Sequence, residues 1–81
     1  MLHTELPRKI RGIRRFLTLK QSDMAERLGI SIEAYGKIER GKTHISLARL
    51  QHIAVVFGLE AIQILQLTEP ELLCLLSERQ L

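Results

Sequence analysis

The sequence predicts an all-α fold, a compact domain of five to six short helices within 81 residues. Apolar residues recur at steps of three and four, whereas no stretch alternates like a half-buried strand. Glycines stand where these periodic segments end, as they do at helix C-termini. A composition of 46% apolar and 26% charged residues indicates a folded chain, and its length fits one domain with a thin core.

The first predicted helix carries an apolar stripe opposite a basic face, and Pro7 stands near its expected start. The stripe advances by four, three and four residues, through Leu6, Ile10, Ile13 and Leu17. A second helix is predicted over Gln21–Leu28, which would bury Met24 and Ala25 and end at a left-handed Gly29.

Serine residues mark the starts of the third and fourth helices. Ser31 is a good N-cap for a helix from Ile32 to about Arg40, which Gly41 would end. Ser46 would cap the fourth helix, and Gly58 would end it. The predicted inner face of that helix consists of Leu47, Leu50, Ile53, Ala54 and Phe57.

Two further helices are predicted in the last third of the chain. The fifth, over about residues 60–67, presents Ile62, Leu65 and Ile64. Thr68 and Glu71 form a capping box, and a proline is tolerated in the first helical turn. A sixth helix is therefore expected over about residues 69–80.

Charge is strongly segregated along the chain, whose overall net charge is +3. Residues 8–49 hold eleven basic and four acidic residues, a net charge of +7, whereas residues 50–81 hold one basic and four acidic residues, a net charge of −3. A basic first half favours a polyanion as partner, and the leucine-rich second half favours a protein contact. The alternative is that the basic side chains form only a solvated helix face.

The segment from Gln21 to Arg40 has the spacing of two helices joined by a tight turn. Ala25 is small enough for a close helix crossing, and Gly29 allows the positive φ that the turn requires. Tyr35 and Ile38 would face the core. The outward face of the third helix would then carry Ile32, Glu33, Gly36 and Lys37, which is the face that a helix-turn-helix inserts into the major groove.

These features resemble the lambda-repressor/Cro family of helix-turn-helix regulators, also called the Xre family. The resemblance rests on residues 19–21, 24–25 and 28–31, and above all on the segment Lys37-Ile38-Glu39-Arg40-Gly41-Lys42. Residues 46–58 are similar to the family's fourth helix, so the resemblance covers about residues 8–67. It implies a lambda-repressor-like fold with the helix-turn-helix at helices 2 and 3.

The resemblance also implies roles for individual residues. Ile32, Glu33 and Lys37, with Gly36 beside them, fall on the family's base-reading positions. Phosphate contacts are expected from Gln21, Tyr35, Arg40, Lys42 and Thr43, although Tyr35 is chiefly a core residue. Arg14 and Glu39 match a structural ion pair of the family. Lys20 replaces the usual capping Ser or Thr, which weakens the start of helix 2, and Glu33 places an anion towards the phosphates.

The leucines of the predicted sixth helix exceed what one helix face can bury. We therefore expect a homodimer interface formed by Ile64, Leu72, Leu73, Leu75 and Leu76, with the alternative that they all cover helices 1 and 5. Residues 1–67 would form the DNA-binding domain, and residues 68–81 a helix that extends the same domain and dimerises it.

The sequence thus predicts a sequence-specific regulator that binds double-stranded DNA as a homodimer on an inverted repeat. The alternative is a protein-interaction module, such as an antitoxin or adaptor, that binds a toxin or other protein and binds DNA weakly. No catalytic constellation, cofactor, small-molecule ligand or membrane segment is expected. His3, His44 and His52 lack the spacing of metal ligands. The lone Cys74 fits a cytoplasmic protein and is expected to pack as a small apolar residue.

Overall fold

A computed structural model describes residues 2–79 of the chain, and the side chains of residues 5–79. Those residues form six helices: α1 (Leu2–Phe16), α2 (Gln21–Leu28), α3 (Ile32–Glu39), α4 (Leu47–Phe57), α5 (Ala61–Gln66) and α6 (Glu69–Arg79). Helices α2 and α3 pack closely on each other, α1 crosses α3, α5 and α6, and α4 packs on α2 and α5. The described residues form these helices and no strand, so the all-α fold is confirmed. None of the helices within this range is long and apolar enough to cross a membrane.

The helix ends lie where the capping residues predict them. The Ser31 hydroxyl oxygen accepts a hydrogen bond from the backbone N–H of Ala34 at 3.0 Å, and the Ser46 hydroxyl accepts one from Arg49 at 3.1 Å. Gly29 and Gly58 follow α2 and α4 with φ values of 71° and 74°. The predicted capping box of α6 is also present, since Thr68 and Glu71 each bond the other's backbone N–H.

Lys20 is the weak start that the sequence predicts for α2, because a lysine side chain has no acceptor atom for a helix N–H. Asp23 supplies half of a capping box instead: its Oδ2 accepts from the backbone N–H of Lys20 at 2.7 Å. An acid in this first turn also interacts favourably with the helix dipole. The departure from the family's capping residue is thus compensated in part.

The first helix is longer than predicted, because it begins at Leu2 and contains Pro7 in its interior. A proline there removes one helical hydrogen bond close to the N-terminal end, where few turns depend on it. Gly12, further along α1, allows the close approach of α6, since a Cβ at this position would collide with the Glu69 carboxylate.

The predicted inner faces of α4 and α5 are partly wrong. Ile64 is fully buried in the core, whereas Ile62 and Leu65 are 52% and 47% exposed. Leu47 is likewise 62% exposed, although Leu50, Ile53, Ala54 and Phe57 are buried as predicted. In a six-residue helix with apolar residues on both sides, spacing alone does not determine which side faces the core.

The predicted dimer surface is also wrong in its main residues, because they belong to the chain's own core. Ile64 and Leu72 are fully buried and Leu76 is 4% exposed, while Leu73 and Leu75 are partly buried against the same core. Helix α6 lies along α1, so the apolar stripe of α1 covers these leucines. Cys74 is exposed on α6, contrary to the expectation that it packs inside.

Candidate nucleic-acid interface

The helix-turn-helix is held in shape by apolar contacts between α2 and α3. Ala25 is 2% exposed and Leu28 is 5% exposed, and both belong to the core on which α2 and α3 pack closely against each other. Gly29 takes the left-handed conformation in the turn, as the sequence predicts. Tyr35 and Ile38 face the core from α3 and leave the opposite side of this helix outside.

The outer face of α3 presents three of its predicted base-reading side chains to solvent. Ile32 is 55% exposed, and Glu33 and Lys37, which are one turn apart, are both exposed. An apolar residue, an anion and a cation therefore stand together on a protruding helix. Such a set can contact a thymine methyl group, donate to guanine and accept from cytosine.

Gly36 departs from its predicted role, since it is buried and its own surface is not available to a base. The cover comes from Arg40, whose Nη1 lies 2.9 Å from the position that a Cβ on Gly36 would occupy. The Arg40 side chain is itself exposed. Its guanidinium group thus folds back by one turn along α3 rather than extending away from the end of the helix.

The segment that follows α3 turns back on the helix end. The backbone N–H groups of Gly41 and Lys42 donate to the carbonyls of Ile38 and Lys37 at 3.1 and 2.9 Å. Gly41 has a φ of 71°. Lys42 and Thr43 are exposed beside the C-terminal end of α3.

The predicted ion pair between Arg14 and Glu39 is present and buried. Arg14 Nε donates to Glu39 Oε2 at 2.6 Å, and Arg14 Nη2 donates to Glu39 Oε1 at 3.1 Å. The remaining Nη1 of Arg14 donates to the Leu19 carbonyl at 2.9 Å. A single guanidinium therefore joins α1, the turn before α2 and the end of α3.

Two residues expected at phosphates take part in this buried network. The Tyr35 hydroxyl donates to Glu39 Oε2 at 2.5 Å, and Tyr35 is fully buried, so the prediction of a phosphate contact by its hydroxyl is wrong. Gln21 Nε2 donates to Glu39 Oε1 at 3.1 Å and is half-buried. The i,i+4 spacing of Tyr35 and Glu39 could have indicated the first bond, but nothing local indicates the second.

The network keeps Glu39 ionised. Burial alone would raise the pKa of this carboxyl, but hydrogen bonds from Arg14, Tyr35 and Gln21 together hold the pKa below its usual value. The bond to Glu39 in turn raises the pKa of Arg14. Burial, followed by the bond to Glu39, raises the pKa of Tyr35. Within residues 5–79 every buried side-chain nitrogen or oxygen has a hydrogen-bond partner.

The model of the helix-turn-helix family matches residues 10–64, more than half of the chain. The chain belongs to the helix-turn-helix family. Its fold and its exposed α3 agree with this membership, and the protein is a DNA-binding transcriptional regulator of Cro/C1 type.

Comparison with solved structures also gives a protein of similar fold. The chain is similar to the clp gene regulator ClgR from Corynebacterium glutamicum, with a TM-score of 0.78 and 19% sequence identity over 99% of this chain and 84% of that chain. At this identity the likeness establishes the shared fold. No curated protein matched the sequence.

One further part of the helix-turn-helix surface has no counterpart in the sequence predictions. A groove of about 440 Å³ separates α3 from the start of α4. Lys37, Thr43 and Arg49 line it together with His44 and Ser46. Arg49 and His44 were not expected at the interface, since the predicted contacts ended at Thr43, and only the folded chain brings them beside Lys37.

Proposed function

We propose that this helix-turn-helix protein recognises a specific double-stranded DNA sequence and acts as a homodimer on an inverted repeat. The observation that carries the proposal is the exposed outer face of α3, where Ile32, Glu33 and Lys37 stand on a helix whose other side is anchored in the core. In this family such a helix enters the major groove with its N-terminal residues leading.

Each exposed side chain on α3 suits a different base edge. Lys37 donates to guanine O6 and N7, and Glu33 accepts from the amino group of cytosine. Ile32 contacts a thymine methyl group. Because Glu33 also repels phosphates, it lowers affinity for arbitrary DNA and so increases discrimination between sequences.

Phosphate contacts are expected on both sides of the recognition helix. Lys42 and Thr43 follow α3 directly, and Arg49 lies in the groove beside Lys37. The first turn of α2 contributes its backbone N–H groups. Gln21 donates one of its two side-chain N–H groups to Glu39 and keeps the other for a phosphate. These contacts fix the orientation of α3 and carry no sequence information.

The homodimer is expected to form through Val55, near the C-terminal end of α4, and Ile62 and Leu65 on α5, rather than through the buried leucines of α6. Val55 is 73% exposed, and Ile62 and Leu65 are about half exposed. A twofold axis would place the two recognition helices about 34 Å apart, which corresponds to half-sites separated by about 10 base pairs. The alternative function, a protein-interaction module, requires the α6 leucines to be free for a partner protein. These leucines belong to the chain's own core.

Selection from a pool of randomised duplex DNA tests the proposal. We expect enrichment of an inverted repeat, and a Kd for the enriched site that is at least about 1000-fold below that for unrelated DNA at the same salt. The Lys37→Ala variant should lose preference at one base pair of each half-site by about tenfold. Arg8→Ala, which removes an exposed cation from α1, should keep the full preference.

Two results would contradict the proposal. Binding that is equal for all sequences at moderate salt would exclude sequence-specific recognition. If a site is enriched and the Lys37→Ala variant shows the same base preferences on it as the wild-type protein, α3 is not the helix that recognises the bases.

A further inference from the structure

The position of Arg40 suggests a second reading residue on α3. Arg40 directly follows the last residue of α3 and occupies the C-cap position. A residue at this point can extend to the DNA backbone, which is the role that the sequence predicts for it. The folded chain instead turns the guanidinium back over Gly36, one turn towards the N-terminal end of the helix.

Gly36 is the residue that permits this arrangement. All three of the nearest atoms to a Cβ built on Gly36 belong to the Arg40 guanidinium: Nη1 at 2.9 Å, Cζ at 3.8 Å and Nη2 at 3.9 Å. A glycine inside a helix lowers helix stability relative to alanine, so its presence within α3 needs a reason. The space that it leaves for Arg40 is such a reason.

The guanidinium group lies on the same side of α3 as the proposed base-reading residues. Residues 32, 36 and 40 follow one another at i,i+4 spacing, so Gly36 lies directly between Ile32 and Arg40 along the helix surface. The Arg40 guanidinium has no hydrogen-bond or ion-pair partner among residues 5–79. Its planar set of donors is therefore available on the surface that meets the major groove.

From this geometry we infer that Arg40 reads a guanine base and that Gly36 positions it. A guanidinium bonds guanine O6 and N7 through two parallel N–H groups of fixed planar geometry, whereas a lysine ammonium can donate to the same atoms only from a flexible stem. Arg40 is thus a specificity-determining residue, and Gly36 is a positioning residue that acts through it. The inference rests on the proposed function, since it assigns part of the sequence preference of the same α3 surface.

The experiment compares four variants with the wild-type protein on the DNA site obtained by selection. Every base pair of one half-site is replaced in turn, and Kd is measured for each duplex. Arg40→Ala should lower the preference for one guanine by about tenfold relative to the other three bases. Arg40→Lys should keep most of the affinity for unrelated DNA but lose part of the same preference, because it retains the charge without the rigid planar fork of the guanidinium.

The Gly36→Ala variant changes the position of the Arg40 guanidinium without changing its chemical nature. The added methyl group displaces the flexible end of Arg40, so the same guanine preference should fall although Arg40 is still present. Its thermal midpoint should equal or exceed that of the wild-type protein, because alanine favours the helix. Lys42→Ala is the matched control: loss of a phosphate contact should weaken all duplexes by one common factor and reduce the salt slope by about one unit.

The site and its guanine can also be tested by chemistry on the DNA alone. Replacing the assigned guanine by 7-deazaguanine removes the N7 acceptor, and this should weaken wild-type binding but leave Arg40→Ala binding unchanged. If Arg40→Ala instead weakens every duplex equally, as Lys42→Ala does, Arg40 is a phosphate contact and the inference is overturned. If the wild-type protein shows no sequence preference at all, the proposed function fails, and the inference fails with it.

Discussion

At the scale of single residues, one carboxylate organises the helix-turn-helix. Glu39 accepts from Arg14, Tyr35 and Gln21, which come from α1, α3 and α2. The resemblance to the lambda-repressor family predicts Arg14 but not the other two. Glu39 therefore holds the end of the recognition helix against both of the helices that support it.

The pH dependence of folding should report this carboxylate. Its pKa is lower in the folded chain than the usual value of 4.5, so the unfolded chain binds the proton first as the pH falls. The stability that ionised Glu39 contributes is therefore present above about pH 4.5 and is lost as the pH falls through the lower folded pKa. The Glu39→Gln substitution should lower the free energy of unfolding by about 3 kcal/mol at pH 7, because it leaves the Arg14 charge unpaired.

Urea unfolding from pH 7 to pH 3 measures this effect. The difference in the free energy of unfolding between the wild-type protein and Glu39→Gln should narrow as the pH falls below 4.5. Glu33→Gln is the matched control, because Glu33 lies exposed on the same helix, and this variant should follow the wild-type curve. A difference that stays constant over the whole pH range would contradict the assignment.

At the scale of helices, local chemistry predicts the ends well and the buried faces less well. Ser31, Ser46 and Gly58 determine the limits of α3 and α4 through bonds and backbone conformations within four residues, so these limits can be predicted from the sequence. The orientation of α5 depends on distant contacts with α1 and α4, and its six residues offer apolar side chains on both sides. For that reason the prediction named Ile62, Leu65 and Ile64 together, whereas the fold buries Ile64 alone of the three.

Lys9 is another element-scale contact that the sequence does not predict. Its Nζ donates to the carbonyl of Ile64 at 3.0 Å, with the Leu65 carbonyl at 3.4 Å, and so satisfies the C-terminal end of α5. We expect Lys9→Met, which keeps an unbranched apolar stem but has no ammonium group, to lower the free energy of unfolding by about 1 kcal/mol. Thermal unfolding followed by circular dichroism should show a midpoint lower by roughly 4–8 °C.

Arg8→Met provides the control for Lys9→Met, since Arg8 is exposed on the same helix. It removes an equal charge from α1 without touching α5. If both variants lower the midpoint by the same amount, the effect comes from the net charge of α1, and the bond to α5 contributes nothing measurable.

At the scale of the whole molecule, the leucines of α6 complete a small core. Leu72 and Leu76 are buried, and Leu73 and Leu75 cover the flanks of α6. The number of leucines suggested a surplus because spacing along one helix does not reveal how much apolar surface the neighbouring helices present. The number of leucines correctly predicts that they are buried, but it does not reveal the surface on which they pack, which here is α1 of the same chain.

The burial pattern changes which substitution should break a homodimer. Ile62→Glu should convert the dimer into a folded monomer, because Ile62 is 52% exposed within one chain and a charge there does not disturb the core. Leu47→Glu, at a residue 62% exposed at the start of α4, is the matched control and should stay dimeric. Leu72→Glu should instead unfold the chain, since Leu72 is fully buried.

Sedimentation equilibrium measures the mass of each variant, and circular dichroism measures its helix content. An Ile62→Glu protein that keeps the wild-type dimeric mass, or a wild-type protein that is monomeric at tens of micromolar, would place the α4–α5 surface outside any dimer interface.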